Sequence, residues 1–168
     1  VIKNIRKKIN EKLSNKPFYA EINFFEPHRP FNYGGVKPYK SKGVFIPKYI
    51  PTNSHSKIEF AAMQGAIKKM DESILQILKI LKKKNFYENT IIIFTTDHGI
   101  PFPRAKGTLY DSGIETSLIF HYPKLKLKNK KFNQLISNID ILPTLLDLAK
   151  IKKSKKIQGK SFYKLLHK

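Results

Sequence analysis

The spacing of apolar residues predicts two amphipathic helices in the first half of the chain. Apolar side chains recur every three or four positions within residues 2–13, with lysine and asparagine between them. The same spacing continues for several turns over residues 57–84, which predicts the longest helix of the chain. The apolar positions of this longer segment are Ala61, Ala62, Ala66, Ile67, Met70, Ile74, Leu78 and Leu81.

Three apolar runs predict β-strands. Residues 18–25 are rich in aromatic side chains and lie between two prolines, whereas residues 90–96 form a nearly continuous β-branched run. The second composition is typical of a strand buried on both faces, and residues 117–122 predict a third strand. Because the long helix connects the first strand to the second, we expect these two strands to be parallel in one sheet.

The remaining segments predict a long loop and two short helices. Half of the ten prolines fall within residues 27–51, together with three glycines, which predicts an irregular loop of the kind that often carries function. Residues 140–149 predict a short helix, and residues 161–167 a last helical turn or two. No internal repeat or domain boundary is visible, so the sequence predicts one α/β domain over residues 1–168.

The chain is strongly basic. The 33 Lys+Arg residues against 12 Asp+Glu residues give a formal net charge of +21, which first suggests a nucleic-acid partner. Only Arg6, Arg29 and Arg104 are arginines, however, and the lysines are spread along the whole chain. Arginine is the residue that favours bidentate contacts to phosphates and bases. We therefore interpret the lysines as a solvated surface and expect no specific nucleic-acid binding.

Cysteine is absent from the 168 residues, and this excludes disulfides, cysteine-ligated zinc and thiol nucleophiles within them. No apolar run approaches the roughly 18 to 20 residues that a membrane-spanning helix needs. We therefore expect no membrane span in this sequence.

Polar clusters follow both strands of the predicted crossover. The first strand runs into residues 26–30, with the sequence Glu-Pro-His-Arg-Pro, and the second runs into residues 97–99, with the sequence Asp-His-Gly. The carboxyl ends of parallel strands meet at one edge of a sheet, where open α/β sheets bind ligands. The sequence therefore predicts a site at this edge, although some 70 residues separate the two clusters.

The residue types in these clusters suggest several kinds of chemistry. Asp97 and His98 can both reach a metal ion; alternatively, Asp97 caps the next turn and His98 is a surface side chain. His28 lies in a stiff segment that can aim a general acid or an anion ligand, or it is a loop histidine without a role. Arg104 and Lys106 can clamp an oxyanion, or they are ordinary solvated side chains.

Several separated motifs resemble the sulfatase family of the alkaline-phosphatase-like superfamily, and within it the heparan N-sulfatase branch. The resemblance covers nearly the whole chain, because the motifs occur in the order and with the spacing of that family. They are residues 16–18 and 25–30, residues 94–111 from Phe-Thr-Thr-Asp-His-Gly to Gly-Thr-Leu-Tyr-Asp, residues 140–149 and residues 159–162.

The resemblance implies a partial alkaline-phosphatase-like sandwich, with a mostly parallel sheet flanked by helices. It also implies a metal-dependent hydrolase of sulfate esters or sulfamates, acting on a sulfated small molecule such as a sugar, or on a glycan. In such enzymes a formylglycine hydrate made from cysteine attacks sulfur, and one divalent cation, usually calcium, holds the sulfate oxygens. By this resemblance the catalytic residues are His28 and Lys106, the metal ligands are Asp97 and His98, and the substrate-binding residues are Arg29 and Arg104.

Two elements of the family pattern do not occur in the sequence. The nucleophile motif, in which Cys or Ser is followed by x-Pro-x-Arg, and the paired aspartates that complete the metal site are both missing. We therefore expect the chain to be an internal or truncated portion of one catalytic domain, without its nucleophile segment and C-terminal subdomain, and inactive alone. Formylglycine is expected from the missing segment. Because relatives are commonly exported, we expect a periplasmic, extracellular or lysosomal location.

Two alternative functions remain open at the level of sequence. The first is a phosphoester or phosphonate hydrolase of the same superfamily, with zinc or manganese as its metal. The second is a non-catalytic relic domain that binds polyanions such as sulfated glycans through its lysines. His98 also stands where many relatives of the resembled family have asparagine, which leaves a divalent metal other than calcium open.

Overall fold

The computed structural model describes residues 17–127 and 130–167. The helix predicted over residues 2–13 lies outside them. The described residues form two compact units, of which the first comprises residues 17–87 and 98–115 and the second the remainder. The chain thus passes between the units at residues 87–88, 97–98 and 115–116. The interpretation as one incomplete catalytic domain stays a prediction.

The first unit is built on helix α1, Ser54–Lys83. This helix confirms the one predicted over residues 57–84 and begins three residues earlier, because Asn53 and Ser56 form a capping box. The Asn53 side chain accepts a hydrogen bond from the Ser56 N–H at 2.9 Å, and the Asn53 N–H donates to the Ser56 hydroxyl at 3.0 Å. These two bonds satisfy backbone donors that have no partner inside the helix.

Replacing Asn53 with alanine is expected to lower the free energy of unfolding by about 1 kcal/mol. The substitution removes the acceptor for the Ser56 N–H and leaves the rest of α1 unchanged. Urea unfolding followed by circular dichroism measures the difference. Asn53→Ser keeps an acceptor at the same position and should stay close to the original chain; an equal loss in both variants would contradict the capping role.

An aromatic stack forms the core of the first unit. The Phe60 and Phe102 rings are stacked with centroids 4.0 Å apart, and Phe31 lies 6.0 Å from Phe102 on a nearly parallel plane. All three side chains are buried, with Phe60 only 1% exposed, and Met63 and Ala66 pack in the same cluster. The stack therefore joins the predicted loop region, α1 and the segment after residue 98.

The loop predicted over residues 27–51 is irregular, as expected, and contains one 3₁₀ turn, Tyr33–Gly35. It docks on α1 at Gly65, where an added Cβ would lie 2.1 Å from the Lys37 carbonyl oxygen. Only glycine permits this approach of two backbones. The Tyr39 N–H also donates to the Ala61 carbonyl at 2.9 Å, which fixes the loop to the helix.

The second unit contains a two-stranded antiparallel sheet. Strand β1, Ile92–Thr95, pairs with β2, Leu118–His121, so that Ile92 faces His121 and Thr95 faces Leu118. Both strands lie within predicted strand segments. The strand residues are half-buried or exposed, whereas the sequence predicted burial on both faces for β1.

The predicted strand over residues 18–25 is the main difference from expectation. No helix or strand is assigned to it, and among the described residues the only sheet is the antiparallel pair. A ladder needs a neighbouring strand as well as a suitable composition, and Tyr19 is 80% exposed. The predicted parallel crossover and mostly parallel sheet are therefore not seen in the described part of the chain.

The helices of the C-terminal third agree with the sequence. The 3₁₀ turn Asn138–Asp140 leads into helix α3, Ile141–Leu148, and a final 3₁₀ helix spans Tyr163–His167. A one-turn helix, α2, Asp111–Ile114, belongs to the first unit. Among the described helices, none is both long and apolar enough to cross a membrane.

A buried hydroxyl holds the C-terminal segment on α3. Thr144 is 1% exposed, and its Oγ1 donates to the Asp140 carbonyl at 2.7 Å and accepts from the Phe162 N–H at 3.0 Å. The Asp140 carboxylate accepts from the Lys160 N–H at 2.6 Å. The buried Thr144 hydroxyl is thus satisfied by partners within the second unit.

The carboxyl of Asp147 makes a pH-sensitive contact. The Lys153 ammonium donates to it at 2.9 Å and, with help from the Ser161 hydroxyl, holds the pKa of Asp147 below its ordinary value. A carboxyl with a lowered folded pKa stabilises the fold above its unfolded pKa, about 3.9, and loses this contribution as pH falls through the lowered value.

Asp147→Asn is therefore expected to be slightly less stable than the original chain near neutral pH, with the difference vanishing at strongly acidic pH. The effect is small because the pair is exposed to solvent. Thermal unfolding of both proteins, from about pH 6 to about pH 2, measures it. Lys153→Gln should behave in the same way; a difference that does not change with pH would contradict the ion pair.

Candidate functional site

The segment that carries His28 is a tight turn in the first unit. The His28 N–H donates to the Phe25 carbonyl at 2.8 Å, and the Phe25 ring lies 5.3 Å from the imidazole. The Nδ1 atom of His28 lies 2.5 Å from the Arg29 carbonyl oxygen. Because a carbonyl only accepts, Nδ1 carries the proton, and the lone pair of the neutral ring is on Nε2. The exposed imidazole thus directs Nε2 away from its own backbone.

The loop over residues 98–108 is closed by a succession of backbone hydrogen bonds. The N–H groups of Phe102 and Lys106 both donate to the Ile100 carbonyl, at 2.9 and 3.1 Å, and the Ala105 N–H donates to the Phe102 carbonyl at 3.2 Å. Ala105 is completely buried. The loop therefore has a fixed backbone beneath the exposed side chains of Arg104 and Lys106.

The backbone of Arg104 is in the left-handed region, with φ of 59°. This conformation costs a residue with a side chain about 1–2 kcal/mol, and it is held here by the surrounding contacts. The Ser112 hydroxyl donates a short hydrogen bond to the Arg104 carbonyl, and the guanidinium lies over the Tyr110 ring at 4.8 Å. Such strain is typical of positions where a loop must present a particular side chain.

His98 is half-buried, and its Nδ1 lies 2.7 Å from the Gly99 carbonyl oxygen. The proton is again on Nδ1, so the lone pair of the neutral ring is on Nε2. This arrangement is typical of histidines that bind metals, because a backbone carbonyl holds the other ring nitrogen.

The two segments of the first unit lie side by side. The Arg29 Nε–H donates to the Pro101 carbonyl at 3.3 Å, and the Arg29 guanidinium lies over the Phe102 ring at 4.9 Å. The structure thus brings together the segment of His28 and the loop of His98, Arg104 and Lys106. The sequence predicted this meeting from parallel strands, whereas in the structure side-chain contacts bring it about.

Asp97 belongs to the second unit, two residues after the end of β1, and is exposed. The end of β1 is fixed because the Thr96 carbonyl accepts from the Asn138 amide at 3.0 Å and the Thr96 N–H donates to the Ser117 carbonyl at 3.2 Å. Across the described ranges, no group of three or more His, Asp and Glu side chains is arranged to hold a metal ion.

The first-unit site is basic, which suits an oxyanion ligand. Arg104 and Lys106 are exposed on one loop. Arg29, in contrast, forms a short ion pair with Glu59 of α1. The available positive charge is therefore concentrated on the 98–108 loop.

The partners of Arg29 could not be predicted from the sequence. Glu59 looks like an ordinary exposed helical residue, and no spacing connects it with position 29. Phe31 and Phe102 each follow a proline directly, but this pattern does not say that their rings meet. These contacts depend on three segments that are distant in sequence.

Comparisons with known proteins identify the family of the chain. The family model described as Sulfatase matches residues 1–151. An ulvan-active sulfatase of Formosa agariphila is 37% identical over 117 residues, covering 70% of this chain and 20% of the relative. Human N-sulphoglucosamine sulphohydrolase is 27% identical over 173 residues, covering 87% of this chain and 34% of the relative. The chain thus spans about a third of the length of these relatives, or less.

A solved structure shows the same fold. It comes from Bacteroides thetaiotaomicron, in work on the metabolism of multiple glycosaminoglycans, and matches 99% of this chain and 38% of its own with a TM-score of 0.83 at 22% identity. The family match extends over most of the sequence, including the segments that carry His28, Asp97, His98 and Lys106. The chain therefore belongs to the sulfatase family.

Proposed function

We propose that this chain is a portion of a metal-dependent sulfatase that hydrolyses sulfate esters or sulfamates of a sugar or glycan. The observation that carries the proposal is the contact between the His28 segment and the basic 98–108 loop, within a chain of the sulfatase family. The relatives named as ulvan-active sulfatase and N-sulphoglucosamine sulphohydrolase support a sulfated sugar as the substrate class.

In the proposed reaction, Lys106 and Arg104 bind the sulfate group. Their charged N–H groups donate hydrogen bonds to the sulfate oxygens. These bonds stabilise the negative charge that builds up on the sulfate oxygens when the bond between the sulfate group and the sugar breaks. The fixed backbone of the 98–108 loop matters here, because donors that are already in place need no rearrangement during the reaction. The cation–π contact with Tyr110 holds the guanidinium of Arg104 at the loop surface.

His28 is proposed as the general acid. Its Nδ1–H is engaged by the Arg29 carbonyl, so Nε2 is the atom that delivers a proton to the leaving oxygen or nitrogen of the sugar. Protonation of the leaving group avoids the release of an alkoxide or amide anion, and such catalysis typically contributes about 10²–10⁴-fold. After the transfer, the neutral ring is the tautomer that the Arg29 carbonyl favours.

We further propose that Asp97 and His98 supply two ligands of one divalent cation, calcium being the family's usual metal. The donor types fit, because Asp97 offers carboxylate oxygens and the Nδ1–H of His98 faces the Gly99 carbonyl. When bound, the cation would draw negative charge from the sulfate oxygens. The other ligands and the formylglycine nucleophile are expected from sequence outside these 168 residues. We also propose that the whole protein is exported from the cytoplasm.

The test begins with the DNA upstream of the codon for Val1. If it continues in frame, the longer protein is expressed with a formylglycine-generating enzyme and assayed for sulfate release from N- and O-sulfated glucosamine. We expect release that stops on chelation and returns with calcium, and that Asp97→Asn abolishes. Asp71→Asn, on the exposed part of α1, serves as the control. Release of phosphate from phosphate esters in place of sulfate, or no hydrolysis of either, would overturn the proposal.

A further inference from the structure

The Arg29 guanidinium is held on several sides within the first unit. Its Nε–H donates to the Pro101 carbonyl at 3.3 Å, and Nη1 forms a short ion pair with the Glu59 carboxylate. The guanidinium carbon lies 4.6 Å from the centroid of the Phe31 ring and 4.9 Å from that of the Phe102 ring. These contacts come from α1, from the 98–108 loop and from the segment of Arg29 itself.

We propose that Arg29 is a positioning residue that fixes the His28 segment to the 98–108 loop, and not a ligand of the substrate's sulfate. Its effect on catalysis rests on the function proposed above, whereas its effect on the two segments does not. The Arg29 side chain is 44% exposed, but its charge is paired with Glu59 and it lies over two aromatic rings, so its attraction for an external sulfate is reduced.

The link extends from Arg29 into the core. Phe102 stacks on Phe60 with centroids 4.0 Å apart and an interplanar angle of 16°, and Phe60 is a buried residue of α1. Phe31 stacks on the same ring at 6.0 Å. The Arg29 side chain therefore connects three chain segments to one aromatic stack. Because this core is closely packed, it restricts the movement of the candidate site.

The same residue orients His28 directly. The Arg29 carbonyl lies 2.5 Å from His28 Nδ1, so the position of the Arg29 backbone sets the direction of the imidazole. The side chain anchors that backbone to Pro101 and Glu59. A displacement of about 1 Å in a reacting group can cost about 10²-fold in rate, so the anchor matters even without touching substrate.

Arginine is required at this position for a geometric reason. Lysine would keep the positive charge and the attraction to Glu59. It would lose the planar group that lies over the Phe31 and Phe102 rings and the second N–H that reaches the Pro101 carbonyl. The variants Arg29→Lys and Glu59→Gln therefore weaken different parts of one link and should have similar consequences if the proposal is correct.

The test uses ¹⁵N NMR of the 168-residue chain. Since the sequence contains only three arginines, the Nε–H region of the spectrum is simple, and Arg29→Lys identifies the Arg29 signal. We expect Arg29→Lys and Glu59→Gln to shift the amide signals of residues 25–31 and 99–106 and to speed hydrogen exchange in both segments at least tenfold. Glu72→Gln, at another acidic position of α1, is the matched control and should leave both segments unchanged.

Titration with glucosamine N-sulfate separates the two roles of Arg29. A positioning role predicts that the ligand moves the signals of the 98–108 loop and not the Arg29 Nε–H signal. In the longer protein it predicts a fall in kcat of about 10–100-fold for Arg29→Lys, with KM within about threefold. The proposal is overturned if the ligand shifts the Arg29 signal, or if the amide signals of both segments stay in place in Arg29→Lys. Absence of sulfate release would leave the NMR result, and hence this test, intact.

Discussion

Replacing His28 with alanine in the longer, formylglycine-containing protein is expected to lower kcat for sulfate release by about 10²–10⁴-fold. The variant loses the Nε2 atom that protonates the leaving group, whereas Lys106 and Arg104 still bind the sulfate. KM should therefore change little, since an interaction made mainly in the transition state has been removed. Initial rates measured over a range of concentrations of a sulfated glucosamine separate the two constants.

The matched control is His55→Ala. His55 is an exposed histidine in the first turn of α1, and no role in the site is assigned to it. Substrates with a good leaving group, such as an aryl sulfate, need less help from a general acid, so His28→Ala should retain more activity on them. A loss of activity that is equal for both types of substrate, or equal in His55→Ala, would count against the acid role.

Gly99→Ala is expected to have the largest effect on folding, with a loss of about 3 kcal/mol in the free energy of unfolding. A Cβ added at Gly99 would lie 1.8 Å from the Ser112 carbonyl oxygen and 2.8 Å from its carbon, and both contact atoms belong to backbone. No rotation of a side chain relieves such a clash. The Gly99 N–H, which donates to the Gly113 carbonyl at 2.9 Å, would have to move away.

Gly43→Ala separates this clash from the general cost of adding a methyl group to glycine. Gly43 has φ of 84° and no atom within 4 Å of an added Cβ, so only backbone strain of about 1–2 kcal/mol is expected. Urea unfolding of the two variants compares the costs. If Gly43→Ala were the more damaging of the two, the close contact between residue 99 and residues 112–113 would not exist in solution.

The helices could be predicted from sequence because their information is local. The 3.6-residue period of apolar positions in α1 and the apolar run of α3 are readable without knowledge of the rest of the fold. Strands β1 and β2 were also located, but the predicted parallel crossover was not seen. Pairing depends on which strand lies beside which, and the aromatic composition of residues 18–25 carries no information about a neighbour.

The candidate site, too, could be predicted from sequence only where the information is local. The sequence predicted His28, Asp97 and His98 because titratable side chains follow predicted strands, and it predicted Lys106 as an anion clamp in the following loop; the resemblance to sulfatases pointed to the same residues. Their roles stay predictions. The part played by Arg29 could not be predicted, because it depends on Glu59 and Phe102, which are 30 and 73 positions away in sequence. Packing between distant segments decides whether an arginine faces a ligand or holds the protein together.

The closed backbone of the 98–108 loop has a consequence for proteolysis. Trypsin cleaves after lysine and arginine and must bind several residues in an extended form, which exposed and flexible segments allow most easily. Ala105 is completely buried, and its N–H donates a hydrogen bond within the loop. The peptide bond between Arg104 and Ala105 should therefore resist cleavage, although the Arg104 side chain is exposed. A nick at this bond therefore reports that the loop has opened, before any activity is measured.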